Sequence, residues 1–145
     1  MKEVLRYSNC FVCGDLNPGG LKAKFFFDGK KAYTEIATDS RFEGYKGIYH
    51  GGVLSSLLDE IMIKAILANE TYAVTAEMTV RFLLPVKTGD KLSITGWVRS
   101  HKGRLYLTEG EAVNSEGQMV ASASGKYVEA KPELKALLKR SVAAD

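Results

Sequence analysis

The sequence predicts an α+β fold in which one long helix is wrapped by a curved antiparallel sheet. Three observations carry this. From Val53 to about Asn69, the residues Val53, Leu54, Leu57, Leu58, Ile61, Met62 and Ala65 recur at helical spacing, over an arc wider than a single surface stripe. Four strand-like runs follow between residues 71 and 129, joined by turns too short for a crossover helix. A hairpin around Asp28-Gly29-Lys30 precedes the helix. A helix this apolar needs cover on most of its circumference, and a sheet supplies it only by curving. The 145 residues suit one domain with a sizeable core. Residues 1–145 are expected to be that unit, with an N-terminal segment 1–20 and a C-terminal helix or tail 132–145.

The composition narrows the function classes. The hydrophobic fraction is 46%, and 20 basic and 17 acidic residues are interspersed to a net charge of +3. No nucleic-acid-binding tail is indicated. No apolar run reaches the roughly 18 residues of a membrane span. The stretch from Met1 to Tyr7 lacks the apolar core of a signal peptide, so a cytoplasmic location is expected.

Residues 1–20 carry Cys10-Phe11-Val12-Cys13-Gly14, then the turn Asn17-Pro18-Gly19-Gly20. A C-x-x-C pair reads as half a zinc site or a redox pair. Tetrahedral zinc needs two more ligands, there is no further Cys, and neither His50 nor His101 is spaced as a partner. The favoured reading is two reduced, partly buried side chains and no metal, with a zinc shared between subunits as the minor alternative. Leu21 to Phe27 and Lys31 to Thr38 read as strands. Residues 39–50 read as a loop holding Arg41, Phe42, Glu43, Gly44, Tyr45, Lys46, Gly47, Ile48 and Tyr49.

After the helix, Tyr72 to Leu84, Lys91 to Ser100, Arg104 to Asn114 and Gln118 to Glu129 read as a four-stranded meander. Its turns are Thr88-Gly89-Asp90, His101-Lys102-Gly103 and Ser115-Glu116-Gly117. Pro132 then opens a short helix with Leu134, Leu137 and Leu138 on one side, a packing cap.

The long helix also carries chemistry. Gly51 and Gly52 leave its first turn without side-chain bulk, and that turn has unpaired N–H groups at the positive end of the helix dipole. A carbonyl oxygen turning into an oxyanion is stabilised there. Asp59 lies roughly 10 Å further up the axis. The same residues also read as a turn and a surface charge. Ile63 and Ile66 beside Asp59 point to a partly covered face.

The run His50-Gly51-Gly52-Val53-Leu54-Ser55-Ser56-Leu57-Leu58-Asp59-Glu60, with Thr75 to Val86 as the next strand and its closing Pro-Val, resembles the hotdog-fold acyl-CoA thioesterases of the phenylacetate-degradation type. The opening Cys-Phe-Val-Cys-Gly and Asn-Pro-Gly-Gly-Leu are similar to one branch of that family. The resemblance spans about residues 10–129.

The resemblance implies hydrolysis of acyl-CoA thioesters without a metal or cofactor. It makes Asp59 the nucleophile or general base and Thr75 the residue that places it. It makes the Gly51 N–H, with Gly52 beside it, the carbonyl contact, and gives His50 a more structural part. Glu43 and Gly44 stand where the family often has Asn or Gln. Glu43 is therefore expected to act electrostatically rather than to orient the carbonyl.

Phe42, Tyr45, Ile48 and Tyr49 are candidates for lining an acyl pocket, and Arg81 is a further candidate substrate contact. Lys87, Arg99, Lys102 and Arg104 are candidates for the CoA phosphates. The resemblance also implies a homodimer or a dimer-of-dimers tetramer, with two sheets joined edge to edge and each site built from two subunits. A non-catalytic acyl-CoA-binding or sensing module on the same fold is the alternative function. A hotdog hydratase ranks below both, because His101 in a turn is a poor partner for an Asp–His pair.

Overall fold

The structure, a computed structural model, describes residues 1–142; the last three residues of the expected 132–145 helix or tail lie outside the described residues. The strands are β1 (Lys2–Glu3), β2 (Phe26–Phe27), β3 (Lys31–Ala37), β4 (Ala73–Phe82), β5 (Lys91–Lys102), β6 (Leu105–Val113) and β7 (Met119–Glu129). They form one antiparallel sheet in the order β1-β2-β3-β5-β6-β7-β4. Helix α1 (Gly51–Leu67) packs on one face, and α2 (Pro132–Lys139) follows the last strand.

Helix α1 touches β3, β4, β5, β6 and β7. Five strands at about 4.8 Å spacing are wider than a helix about 10 Å across, so contact with all five requires a curved sheet. Leu57, Leu58, Ile61 and Met62 are fully buried as a result. The helix comes close to the sheet at Gly96 and Gly110, which face each other across β5 and β6. A Cβ at Gly96 would stand 3.0 Å from the Ile61 carbonyl oxygen, so only glycine lets the helix settle this near.

Four expectations change. Leu21 to Phe27 is a strand only at Phe26–Phe27. Lys22 has a φ of 54°, and the Leu21 and Ala23 N–H groups donate to the Phe11 and Val12 carbonyls at 2.8 and 2.9 Å. That stretch thus pairs with the N-terminal loop instead of the sheet.

The meander holds for β5, β6 and β7 alone. β4 lies on the far edge, paired with β7, because residues 83–90 cross the start of α1. On the way the Tyr49 N–H donates to Val86 O at 2.8 Å and the Thr88 N–H to Gly47 O at 3.1 Å. The strand β5 runs on through His101 and Lys102, and Gly103, at φ 58°, makes the turn.

Ile66, expected on a partly covered face, is only 1% exposed within one chain, while Ile63 is partly buried. Exposed apolar side chains on and after β4 include Val74, Phe82, Leu83 and Leu84. In α2, Leu134 and Leu138 pack on the core and Leu137 is exposed. No helix among the described residues is long and apolar enough to cross a membrane.

Candidate active site

Asp59 sits in the middle of α1, partly buried. Its Oδ1 accepts two hydrogen bonds, from Thr75 Oγ1 and from the Tyr127 hydroxyl, both at 2.8 Å. The sheet register explains why two distant residues meet there: Thr75 on β4 and Tyr127 on β7 are directly opposed. The register slips between Thr75 and Glu77, a bulge of the kind that re-aims a side chain at the edge of a sheet. Tyr127 is fully buried. Burial, and next the Asp59 charge, push its phenol well above its ordinary value, so it stays a donor to the carboxylate. Among the described residues both hydrogen bonds fall on Oδ1, which leaves Oδ2 for a ligand or water.

Sequence reasoning missed Tyr127. Nothing in the spacing of the last strand marks it, and only the register brings it opposite Thr75. Gly125, on the same face of β7, was missed for the same reason. A Cβ there would stand 2.5 Å from the Tyr127 ring, so this glycine makes room for the phenol.

The start of α1 divides its two glycines between two tasks. His50 is the N-cap, and its Nδ1 accepts the Gly52 N–H at 2.8 Å. The Val53 and Leu54 N–H groups both donate to the His50 carbonyl at 3.1 Å. Among the described residues only the Gly51 N–H of this turn has no acceptor. The expectation that Gly52 shares the carbonyl contact is thereby corrected: its N–H is already engaged. Gly52 has a steric part instead, since a Cβ would stand 2.9 Å from the His50 ring.

The remaining candidates separate. Glu43 is exposed, and its carboxylate accepts the Gly47 N–H at 2.9 Å, which ties it into its own loop rather than aiming it at α1. Tyr45 is 84% exposed, while Tyr49 is buried in the core, 4% exposed. Arg81 is not brought to Asp59. Its neighbours Val80 and Phe82 turn toward the core and toward Gly51, so strand alternation places Arg81 on the outer face beside Trp97 and Glu109. Arg104 donates through Nε and Nη2 to the Glu129 carbonyl, at 3.1 and 3.0 Å, and so clamps the ends of β6 and β7. Lys87, Arg99 and Lys102 are exposed.

Two hollows flank α1. A cavity of about 760 Å³ is lined by Thr75, Tyr7, Cys10, Ile63, Val74 and Leu138, among others. A groove of about 270 Å³ contains Gly51, Ile48, Leu54 and Phe82 to Val86. Thus Gly51 and the Thr75 side of the Asp59 cluster open into different spaces of one chain.

The sequence profile of the thioesterase superfamily matches residues 46–121, from the loop before α1 into β7. The chain belongs to the thioesterase superfamily. The match covers Gly51, Asp59 and Thr75 and stops short of Tyr127. Among relatives, the acyl-coenzyme A thioesterase PaaI of Escherichia coli is 31% identical over 99 residues, 68% of this chain and 70% of that one. A Caenorhabditis elegans protein is 33% identical over 100 residues; the match takes in 67% of this superfamily member but only 58% of the nematode protein. The solved structure of E. coli PaaI, from the phenylacetic acid degradation operon, aligns with a TM-score of 0.72 at 27% identity, over 77% of this chain and 81% of that one. The hotdog fold is shared with it. A Streptococcus mutans protein solved with acetyl-CoA has the same fold, with a TM-score of 0.69 at 23% identity over 73% of this chain and 88% of that one.

Proposed function

We propose that this protein hydrolyses acyl-CoA thioesters to a free acid and CoA, at sites shared between two copies of the chain. One observation carries the reading: a carboxylate, Asp59, whose Oδ1 is held by Thr75 and Tyr127 while its other oxygen has no hydrogen bond among the described residues. A carboxylate fixed in this way is positioned as a general base or a nucleophile rather than left as a mobile surface charge. The relative named an acyl-CoA thioesterase and the neighbour solved with acetyl-CoA support the substrate class.

As a general base, Asp59 takes a proton from water as the water oxygen attacks the thioester carbonyl carbon. The carbonyl oxygen gains charge against the Gly51 N–H, reinforced by the helix dipole. The C–S bond then breaks, and the CoA thiolate leaves and is protonated. As a nucleophile, Asp59 attacks the carbonyl carbon and expels the CoA thiolate, which is protonated, and water then opens the resulting anhydride to the free acid and the Asp59 carboxylate. Both routes need the same two parts, an oxyanion donor and a carboxylate.

Those parts are about 12 Å apart along one helix, too far for both to touch one carbonyl. They also open into different hollows. A second copy joined through β4 brings the Gly51 of one chain toward the Asp59 of the other. β4 is a ten-residue edge strand whose outer side is unpaired among the described residues, and it carries exposed Val74 and Phe82.

The test uses two variants. Asp59→Asn should lower turnover of short, medium, long or aryl acyl-CoAs by about 10²-fold or more, because an amide is neither base nor nucleophile. Gly51→Pro removes the N–H at the first helical position, where proline is well tolerated. His50 before it is already extended, at φ −64° and ψ 129°, as a pre-proline residue must be. Each variant alone should be inactive, and mixed dimers should regain one working site per pair. Near-normal turnover in Asp59→Asn would falsify the catalytic assignment. Mixed dimers that form without rescue would sink only the shared site.

A further inference from the structure

The proposed activity makes no use of the Cys10-x-x-Cys13 pair, although Cys10 lines the same cavity as Thr75. The third side chain that the sequence did not place with it is Glu60, on α1. The Cys10 and Cys13 sulfurs and a Glu60 carboxylate oxygen all lie within 4.8 Å of one another, and Cys10 Sγ is 3.7 Å from Glu60 Oε2. We propose that Cys10, Cys13 and Glu60 bind a soft divalent cation of the zinc class, which pins the N-terminal segment to α1.

The local backbone is shaped around the sulfurs. Cys10 Sγ accepts the Val12 and Cys13 N–H groups at 3.3 and 3.4 Å. The loop closes with the Gly14 N–H donating to Cys10 O at 2.9 Å. A Cβ on Gly14 would stand 2.5 Å from Cys10 N, so the tight turn needs glycine there. Cys13 Sγ accepts the Tyr7 N–H and the Lys64 ammonium, both at 3.5 Å.

Two sulfurs therefore receive four N–H donors. A neutral thiol is a weak acceptor and gains little from such a shell, whereas a thiolate is stabilised by it. Thiolates together with a carboxylate form a donor set that suits zinc, with three protein ligands and a fourth position for water. Cys10 borders the cavity, which gives the fourth position a route to solvent.

Charge decides whether such a centre can be buried. Lys64 is fully buried, and its Nζ also lies 3.5 Å from Glu60 Oε2 and donates to the Leu5 carbonyl. Two thiolates, a carboxylate, an ammonium and a divalent cation sum to zero. Without Lys64 the centre would carry a net negative charge in the core, which is costly. The ammonium also donates to Cys13 Sγ and Glu60 in the manner of an outer hydrogen-bonding shell around a metal. Binding displaces two thiol protons to solvent for each cation taken up.

The full chain, purified without chelator from zinc-supplemented cells, should hold about one zinc per chain by elemental analysis, as a site built within a single chain requires. Cobalt(II) added to the reduced, metal-stripped wild-type protein should give thiolate-to-metal charge transfer and tetrahedral ligand-field bands of a two-sulfur site. Cys10→Ser and Cys13→Ser should each lose both signals. The wild-type cobalt titration stands even if those variants fail to fold. Metal-free protein that shows no cobalt charge transfer overturns the proposal, as does a mass two hydrogens lighter that reveals a Cys10–Cys13 disulfide. A four-sulfur cobalt spectrum overturns it too, because it would mean a site shared by two chains without Glu60.

Discussion

At the scale of single residues, Asp59 and Tyr127 are not equally legible. Asp59 stands out in the sequence as a carboxylate among apolar neighbours on a helix. Tyr127 reads as one aromatic among several on a strand. Yet the phenol holds the same carboxylate oxygen as Thr75, at the same 2.8 Å. Hydrogen bonds to a charged group contribute about 1.5–3 kcal/mol each. Tyr127→Phe should therefore keep the fold and lower kcat by about tenfold, with little change in KM, because it loosens a positioned carboxylate and not a substrate contact. A rise in KM at constant kcat would show that Tyr127 binds substrate instead. Glu43 is the contrary case: its position before the His50 motif marked it as a site residue, but its carboxylate is spent on the Gly47 N–H.

At the scale of elements, the start of α1 shows how two adjacent glycines differ. Among the described residues the Gly51 N–H has no acceptor, and the Gly52 N–H is bound to His50. Gly52→Ala would put a methyl group 2.9 Å from the imidazole and break the cap. Losing an N-cap typically costs about 1 kcal/mol. Circular dichroism should show a lower melting temperature, and turnover should fall because the first turn frays beside Gly51. Gly51→Ala meets only the Phe82 ring, at 3.5 Å, and should melt normally. Equal melting temperatures for the two alanine variants would contradict this division. The edge strand β4 teaches a related lesson. Its run of residues is legible as a strand, but its place beside β7 is set by where residues 83–90 cross.

At the scale of the whole molecule, buried phenols set a limit at alkaline pH. Burial pushes Tyr49 from 10.0 up to about 12, and Tyr7 and Tyr127 higher still. Between pH 10 and 12 the unfolded chain releases these protons while the folded chain keeps them. The unfolded state then binds fewer protons, so stability falls as pH rises. Denaturant midpoints should be flat up to about pH 10 and decline steadily toward pH 12. Tyr49→Phe should flatten part of that decline. A midpoint unchanged at pH 12 would mean that these hydroxyls reach solvent in the folded state.

Local and periodic features were legible in the sequence by itself. The 3.6-residue apolar pattern gave away α1, and its width required a curved sheet. The Asp28-Gly29 turn, the strands β3 and β5 to β7 and the Pro132 helix followed from turn chemistry and alternation. The thioesterase resemblance of the His50-to-Glu60 run agrees with the family match and the shared fold.

Tertiary structure decided everything that depends on which distant residues meet. Strand register put Tyr127 opposite Thr75, and the crossing of residues 83–90 sent β4 to the edge. The packing of the N-terminal segment on α1 gathered Cys10, Cys13, Glu60 and Lys64, which lie on two segments some 50 residues apart. The physical reason is that propensity and spacing act over a few residues. Pairing across a sheet, and the burial of a charge beside its counter-charge, are chosen by the free energy of the whole packed chain.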